Sequence, residues 1–347
     1  MKTPSKALSR TSLRKAIRSR HANTLIKASF ATLLLWTIYR QVFAQADLDL
    51  ISEAFLQNFS FPNLNWLLVV VLLVPVNWGF ETLKWRQLIK NFTDLPFWRI
   101  YKAILSGVAV SLITPNRIGE YGGRILLLEA KNNWKAVIAT MVGSFSQLLI
   151  LLTAGLLGAV WFSYRYLQSE MYVLQIVFFF GIVLIALMLF CFFNIDLVVP
   201  IAKRIPFKEK FRRYLRPVKV LENYTSKELS ETLLFAFLRY LTYSLQYYFA
   251  LKFFGIEVNL LEGVSGISTI FLLQTSIPLP PLLGLLARGQ VALFVWGFFS
   301  LDEVGILASS FSLFVINLIV PALVGMVFIV QINVLKSLGY ENGKDLS

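Results

Sequence analysis

"SLITPNRIGEYGGRILLLE", residues 111–129, interrupts a chain that is otherwise mostly apolar. It sets Arg117, Glu120 and Arg124, with three glycines and a proline, between two hydrophobic runs. Either this is a water-exposed loop, or polar backbone and charge have been carried into an apolar interior for a purpose. The surroundings decide between them. Of 347 residues 57% are hydrophobic and 15% charged, against roughly 25% charged in soluble domains. Apolar runs recur from one end to the other, which predicts a polytopic all-α membrane protein. A barrel would instead alternate weakly in segments of about ten residues.

The same composition excludes several chemistries. One cysteine, Cys191 in an apolar run, and one histidine, His21 in a basic tail, leave no structural disulfide and no His/Cys metal site. Cys191 reads as a small packing residue and His21 as one more polar tail residue. No phosphate-binding loop, nucleophile elbow or zinc-protease pattern occurs, so no cofactor, metal or nucleotide is expected.

The net charge of +14 does not point to nucleic acid, because the basic residues cluster beside apolar spans, as cytoplasmic loops require. Residues 1–27 hold eight Lys/Arg and no acid, the loop 195–232 holds nine, and residues 83–135 hold nine more. Acidic stretches, "QADLDLISE" (45–53) and those near Glu257, Glu262, Asp302 and Glu303, belong outside. The basic loops serve as a topology signal; each charge near anionic headgroups is also worth about 1 kcal/mol.

Full spans of about 20 apolar residues are expected at 25–43, 64–82, 135–162, 171–194, 233–254 and 304–330. Trp66 and Trp161 fall near span ends, where aromatic belts sit. Residues 47–60 have apolar positions at helical spacing and read as a helix lying on the outer surface. The basic start, the run "ASFATLLLWTIY" (28–39) and "AQA" (44–46) also have the form of a cleavable signal peptide. Cleavage would remove a helix that the symmetry described next needs.

Two further apolar regions are broken. One runs over 100–113, meets Thr114-Pro115 and resumes over about 119–130. The other runs over 263–277, meets "IPLPPLLG" (277–284, with Pro278, Pro280, Pro281 and Gly284) and resumes to 300. Arms of about 14–16 residues reach roughly 21–24 Å, short of the roughly 30 Å hydrocarbon core. They read as re-entrant hairpins, whose irregular backbone survives at depth only inside protein or beside water. With a cytoplasmic tail at 1–24, the first hairpin opens to the inside and the second to the outside. The membrane domain then covers 25–335, and the tail 336–347 returns inside. The halves, about 25–165 and 168–330, each read span, span, hairpin, span. Three full spans per half make the halves opposite in orientation. Inverted repeats with interrupted helices at matching positions point to a binding site near the midplane.

Within the first hairpin Gly119, Gly122 and Gly123 permit close backbone approach and unusual dihedrals, and Pro115 breaks the helix. Freed amides together with Arg117 and Arg124 suit an anion, the guanidinium fork matching phosphate. Glu120 is placed to pair with either arginine. Arg288 is the one charge of the second hairpin, and ionisable groups at membrane depth are usually functional. Against this stands the ordinary account, a solvated cytoplasmic loop at 114–124. Arg239, near an inner boundary, reads as a snorkelling anchor, and Gln147 as a helix–helix hydrogen bond.

"TPNRIGEYGGR" (114–124) resembles the first signature of the flippase-like transmembrane region of lysylphosphatidylglycerol synthases: a T-P, a glycine-rich turn with G-E, and an arginine opening the next helix. "LLARGQVALFVWG" (285–297) resembles the second signature, and the likeness extends over about residues 20–335. Relatives often carry an acidic residue or an extra glycine where this chain reads "LLGLLA" (282–287), so a carboxylate in the second hairpin does not carry over. The resemblance implies movement of a lipid headgroup between leaflets of the cytoplasmic membrane, without the synthase reaction, which belongs to a separate soluble domain. The substrate-facing set is then Arg117, Gly119, Glu120, Gly122, Gly123, Arg124 and Arg288. The expected partners are membrane lipids with charged headgroups. Two alternatives stand beside it, a membrane-embedded lipid-modifying enzyme and a non-transporting partner that docks a separate lipid synthase through the 195–232 loop.

Overall fold

The computed structural model describes residues 10–42, 48–59, 61–114, 117–200, 216–276 and 284–339. Pro115, Pro278, Pro280 and Pro281 of the expected breaks lie outside the described residues. Among the described residues every regular element is helical: α1 Arg10–Val42, α2 Leu48–Asn58, α3 Phe61–Ile89, α4 Phe97–Ile113, α5 Gly119–Ile125, α6 Asn133–Tyr166, α7 Met171–Phe193, α8 Ser226–Phe253, α9 Leu260–Ser276, α10 Gly284–Trp296, α11 Glu303–Gln331 and the single turn α12 Val334–Ser337.

Apolar content drives these helices and caps set their limits. At the start of α8, the Thr225 hydroxyl accepts from the Glu228 amide at 3.3 Å and the Glu228 carboxylate accepts from the Thr225 amide at 2.9 Å, two otherwise orphaned donors satisfied reciprocally. Asp302 does the same work for α11, accepting from the Gly305 amide at 2.9 Å.

Four helices are long and apolar enough to cross a membrane: Asn63–Ile89, Ala130–Tyr166, Met171–Phe193 and Glu303–Gln331. The most telling is α7. It is apolar all round, yet only Leu174 and Phe192 are buried, while Phe179, Phe180, Leu187 and Phe190 face outward. Such a surface needs lipid rather than water around it. The protein is membrane-embedded. The expected spans 25–43 and 233–254 fall on α1 and α8, which are not among the four; Lys27 and Arg40 interrupt the first run and Arg239 the second. Cys191 sits on the outward face of α7 and is exposed, so it is not the interior packing residue its apolar neighbours imply.

Packing follows the two halves. Helices α3 and α8 run together as the central pair; α4 lies on α11 and α9 on α6; α5 touches α6 as α10 touches α11. The pairs α4–α11 and α9–α6, and the pairs α5–α6 and α10–α11, correspond to one another when residues 25–165 and 168–330 are exchanged. The amphipathic α2 packs Ala54 and Phe55 against Phe253, Phe254 and Ala308.

The first hairpin differs from expectation in two ways. Its return arm is helical only over Gly119–Ile125 and gives way to a turn and a 3-10 segment, Ala130–Asn132, before α6; at seven residues it spans roughly 10 Å. The left-handed backbone also falls on Arg117 (φ 59°), and none of Gly119, Gly122 and Gly123 has positive φ. Those three lie in an ordinary helical turn, so unusual dihedrals are not their role. Close approach is, at two of them. A Cβ on Gly123 would lie 2.6 Å from the Gly107 Cα, and one on Gly119 2.6 Å from the Thr114 hydroxyl, whereas nothing lies near Gly122.

Candidate functional site

The interface of the two halves holds a buried charge network centred on Glu81 of α3. Its carboxylate takes Arg124 of α5 at 2.6 Å on one oxygen, and Lys84 and Arg239 at 2.7 Å on the other. Glu81, Lys84 and Arg124 are each at most 2% exposed. Arg124 also pairs with Glu120, whose second oxygen is 3.6 Å from Arg117. Lys84 donates to the Gln147 side-chain oxygen at 3.3 Å, and the Gln147 amide donates to the Ala236 carbonyl at 3.3 Å. Two indoles floor the cluster: the Arg124 guanidinium lies 5.5 Å from the Trp85 ring centre and that of Arg239 5.0 Å from Trp78, distances at which cation and ring attract.

Beside this network opens a cavity of about 330 Å³ lined from both halves. The first half supplies Asn77, Trp78, Arg117 and Gln147; the second supplies Arg239, Tyr243, Gln274, Arg288 and Asn317. They come from α3 and α8, from the segments around α5, α9 and α10, and from α6 and α11. Asn77 donates to Asn317 across the boundary at 3.3 Å, and their remaining amide atoms, the Asn77 oxygen and the Asn317 nitrogen, are buried without partners. Asn317 stands on a π-helical segment, Val315–Ile319, inside α11; such turns gather at functional positions.

Charge here is unbalanced. Arg117, Lys84, Arg124, Arg239 and Arg288 face two carboxylates, Glu81 and Glu120, an excess of three positive charges. Arg288 forms no ion pair among the described residues and instead stacks 5.5 Å from the Phe314 ring centre. Arg117 holds its side chain half-exposed at the cavity mouth on a left-handed backbone, a conformation that costs about 1–3 kcal/mol and collects at ligand sites.

Of the residues singled out by sequence, Arg117 and Arg288 reach the cavity; Arg124 lies behind it, paired through one terminal nitrogen with both Glu81 and Glu120 while its Nε is buried without a partner; Glu120 links the two arginines; Gly119 and Gly123 seat α5 on α4; Gly122 faces outward; Thr114 closes the turn by accepting from the Gly119 amide at 2.7 Å. Gly284 opens α10. Gln147 makes the expected interhelical bond. Arg239 is a correction: it turns inward onto Glu81 and Trp78 rather than snorkelling to a boundary, because a carboxylate one helix away stabilises it more than the interface does. The hub itself, Glu81, is not visible from composition. A signal did exist: Asn77, Glu81 and Lys84 stand at i, i+4 and i+7 on one helical face.

Glu81 and Glu120 with Lys84 and Arg124 thus stand behind the cavity, and Arg117, Arg239 and Arg288 present guanidinium groups to it. A comparison with curated proteins finds no match. Residues 22–325 match the family model described as the lysylphosphatidylglycerol synthase TM region, and the chain belongs to that family of lipid-handling membrane proteins.

Proposed function

We propose that the protein moves an amphiphile with an anionic headgroup between the leaflets of a cytoplasmic membrane, through a cavity at the junction of an inverted repeat. The observation that carries this reading is the cavity with three arginines from both halves and an uncompensated positive charge. Phosphate matches the guanidinium forks. The contact pattern that survives exchange of the halves supports the repeat, and with it re-entrant hairpins opening to opposite faces and both tails inside. Arg117, Arg239 and Arg288 hold the headgroup; Arg124 and Glu120 position the first hairpin. Both carboxylates are already engaged by cations, which favours binding over acid–base chemistry and so a carrier over a lipid-modifying enzyme. With no nucleotide-binding motif, movement runs downhill or is coupled to an ion gradient.

Proteoliposomes carrying a trace of fluorescent phosphatidylglycerol in phosphatidylcholine test this by chemical quenching of the outer leaflet. The protein should raise the quenchable fraction, and Arg288→Gln should abolish the effect while leaving the protein folded; loss of one such charge contact costs about 2–5 kcal/mol. Equal rates in protein-free and protein-containing vesicles would overturn the proposal.

A further inference from the structure

A second and larger concavity, about 680 Å³, lies at the end of the first hairpin and shares no lining residue with the central cavity. Three cations separated widely in sequence converge on it: Arg99 from the first turn of α4, Lys131 from the segment after α5, and Lys336 from α12. Lys131 is paired with Glu129 at 2.7 Å, while Arg99 and Lys336 form no ion pair among the described residues. The concavity therefore carries an excess of two positive charges over a floor of Leu126, Leu128 and Ile332.

Hydrogen bonds between segments distant in sequence hold the surrounding elements together. The Asn133 side-chain amide donates to the Ser337 carbonyl at 2.9 Å, the Val334 backbone amide to the Asn23 side-chain oxygen at 2.8 Å, and the Lys27 ammonium to the Val330 carbonyl at 2.7 Å. These bonds tie the N-terminal helix, the start of α6 and the end of α11 into one rim. Trp98, beside Arg99, is 68% exposed, and Trp134, at the start of α6, is 56% exposed. Exposed indoles at helix starts mark headgroup depth, so the concavity opens at the membrane–water boundary.

We infer that this concavity is a binding site for the phosphate headgroup of an anionic lipid, distinct from the central cavity. Phosphate sits between Arg99 and Lys336, and the apolar floor receives the glycerol end of the chains. Occupancy bridges the start of α4 to α12 across residues 126–131, and so steadies the segment that follows the arm carrying Glu120 and Arg124. The site does not depend on transport, since its readout is binding.

Thermal unfolding of the full chain in phosphatidylcholine nanodiscs tests it, with phosphatidylglycerol titrated in and inorganic phosphate as the control. Phosphatidylglycerol should raise the midpoint of the wild type, where both sites respond, and still raise it in Arg288→Gln, where the central cavity has lost a headgroup contact; the further substitutions are made in that background. In Arg99→Gln/Lys336→Gln the lipid concentration needed should rise about thirtyfold, from two lost interfacial charges. The charge-preserving Arg99→Lys/Lys336→Arg should keep the response, which separates lost charge from lost folding. A full response in the double Gln variant places the lipid elsewhere and overturns the inference. An equal response to inorganic phosphate makes it a free-anion site and overturns it too. Loss of the response in Arg288→Gln alone assigns the effect to the central cavity, with the same consequence.

Discussion

Replacing Glu81 by Gln tests the logic of the charge network most directly. The carboxylate accepts three charged contacts at 2.6–2.7 Å from Lys84, Arg124 and Arg239, and all but Arg239 are buried to 2% exposure or less. Glutamine keeps one acceptor oxygen, loses the charge, and turns an amide donor toward cations that have no other carboxylate except Glu120. Breaking one buried pair by removing a partner costs about 3–5 kcal/mol; here the partners share one hub, so the losses are coupled and do not sum threefold. Glu81→Gln should therefore lose about 3–5 kcal/mol, a factor of roughly a hundred or more in the folding equilibrium. Unfolding in detergent, followed by tryptophan fluorescence, suits the measurement because Trp78 and Trp85 lie against the network. Adding Lys84→Met removes one of the stranded cations and should recover about 1–3 kcal/mol as a coupling energy. A Glu81→Gln protein within about 0.5 kcal/mol of wild type, or a Lys84→Met that adds its own loss with no recovery, would refute the hub.

Gly123→Ala should destabilise by about 1–3 kcal/mol through overpacking against Ser106 and Gly107, while Gly122→Ala should be neutral or stabilise by up to about 1 kcal/mol; equal effects in thermal unfolding would contradict the packing of α5 on α4. Glu228, ahead of the apolar run of α8, is pushed up by burial, but the Thr225 amide, Asn91 and Lys90 outweigh this and hold its carboxyl below the usual range. A depressed carboxyl stabilises above its unfolded value of about 4.3 and stops doing so as pH falls through the folded one. Glu228→Gln should thus lower the unfolding midpoint at pH 7, with the gap to wild type closing as pH falls through the folded value; a gap that does not narrow with acidification would contradict the assignment. In a Cys191→Ser background, a thiol replacing Gly122 should react with an impermeant reagent from the inner face and one replacing Ser276 from the outer face. Labelling of both from one face would remove the inverted repeat.

Local physics is legible in sequence. Apolar length and charge asymmetry depend on neighbouring residues alone, so the helical membrane class, four of the spans and the position of the first break could be read directly. The same holds for Arg117 and Arg288, conspicuous because charge is rare in their runs. What a side chain meets across helices has no such local trace. Arg124 stands out equally in sequence, yet tertiary packing sets it behind the cavity, because Glu81 arrives from a helix 43 residues earlier. Arg239 looks like a boundary anchor until α8 lies along α3 and brings the same carboxylate within 2.7 Å. Arg99 and Lys131 fall among the basic residues of 83–135 and Lys336 in the terminal tail; only the return of α11 beside the first hairpin makes them one concavity. Sequence by itself determined which segments leave water and where they break, since transfer free energy is a property of the segment. The tertiary structure alone decided which charges neutralise one another and which stay free for a ligand, since that depends on distances between segments the chain does not place side by side.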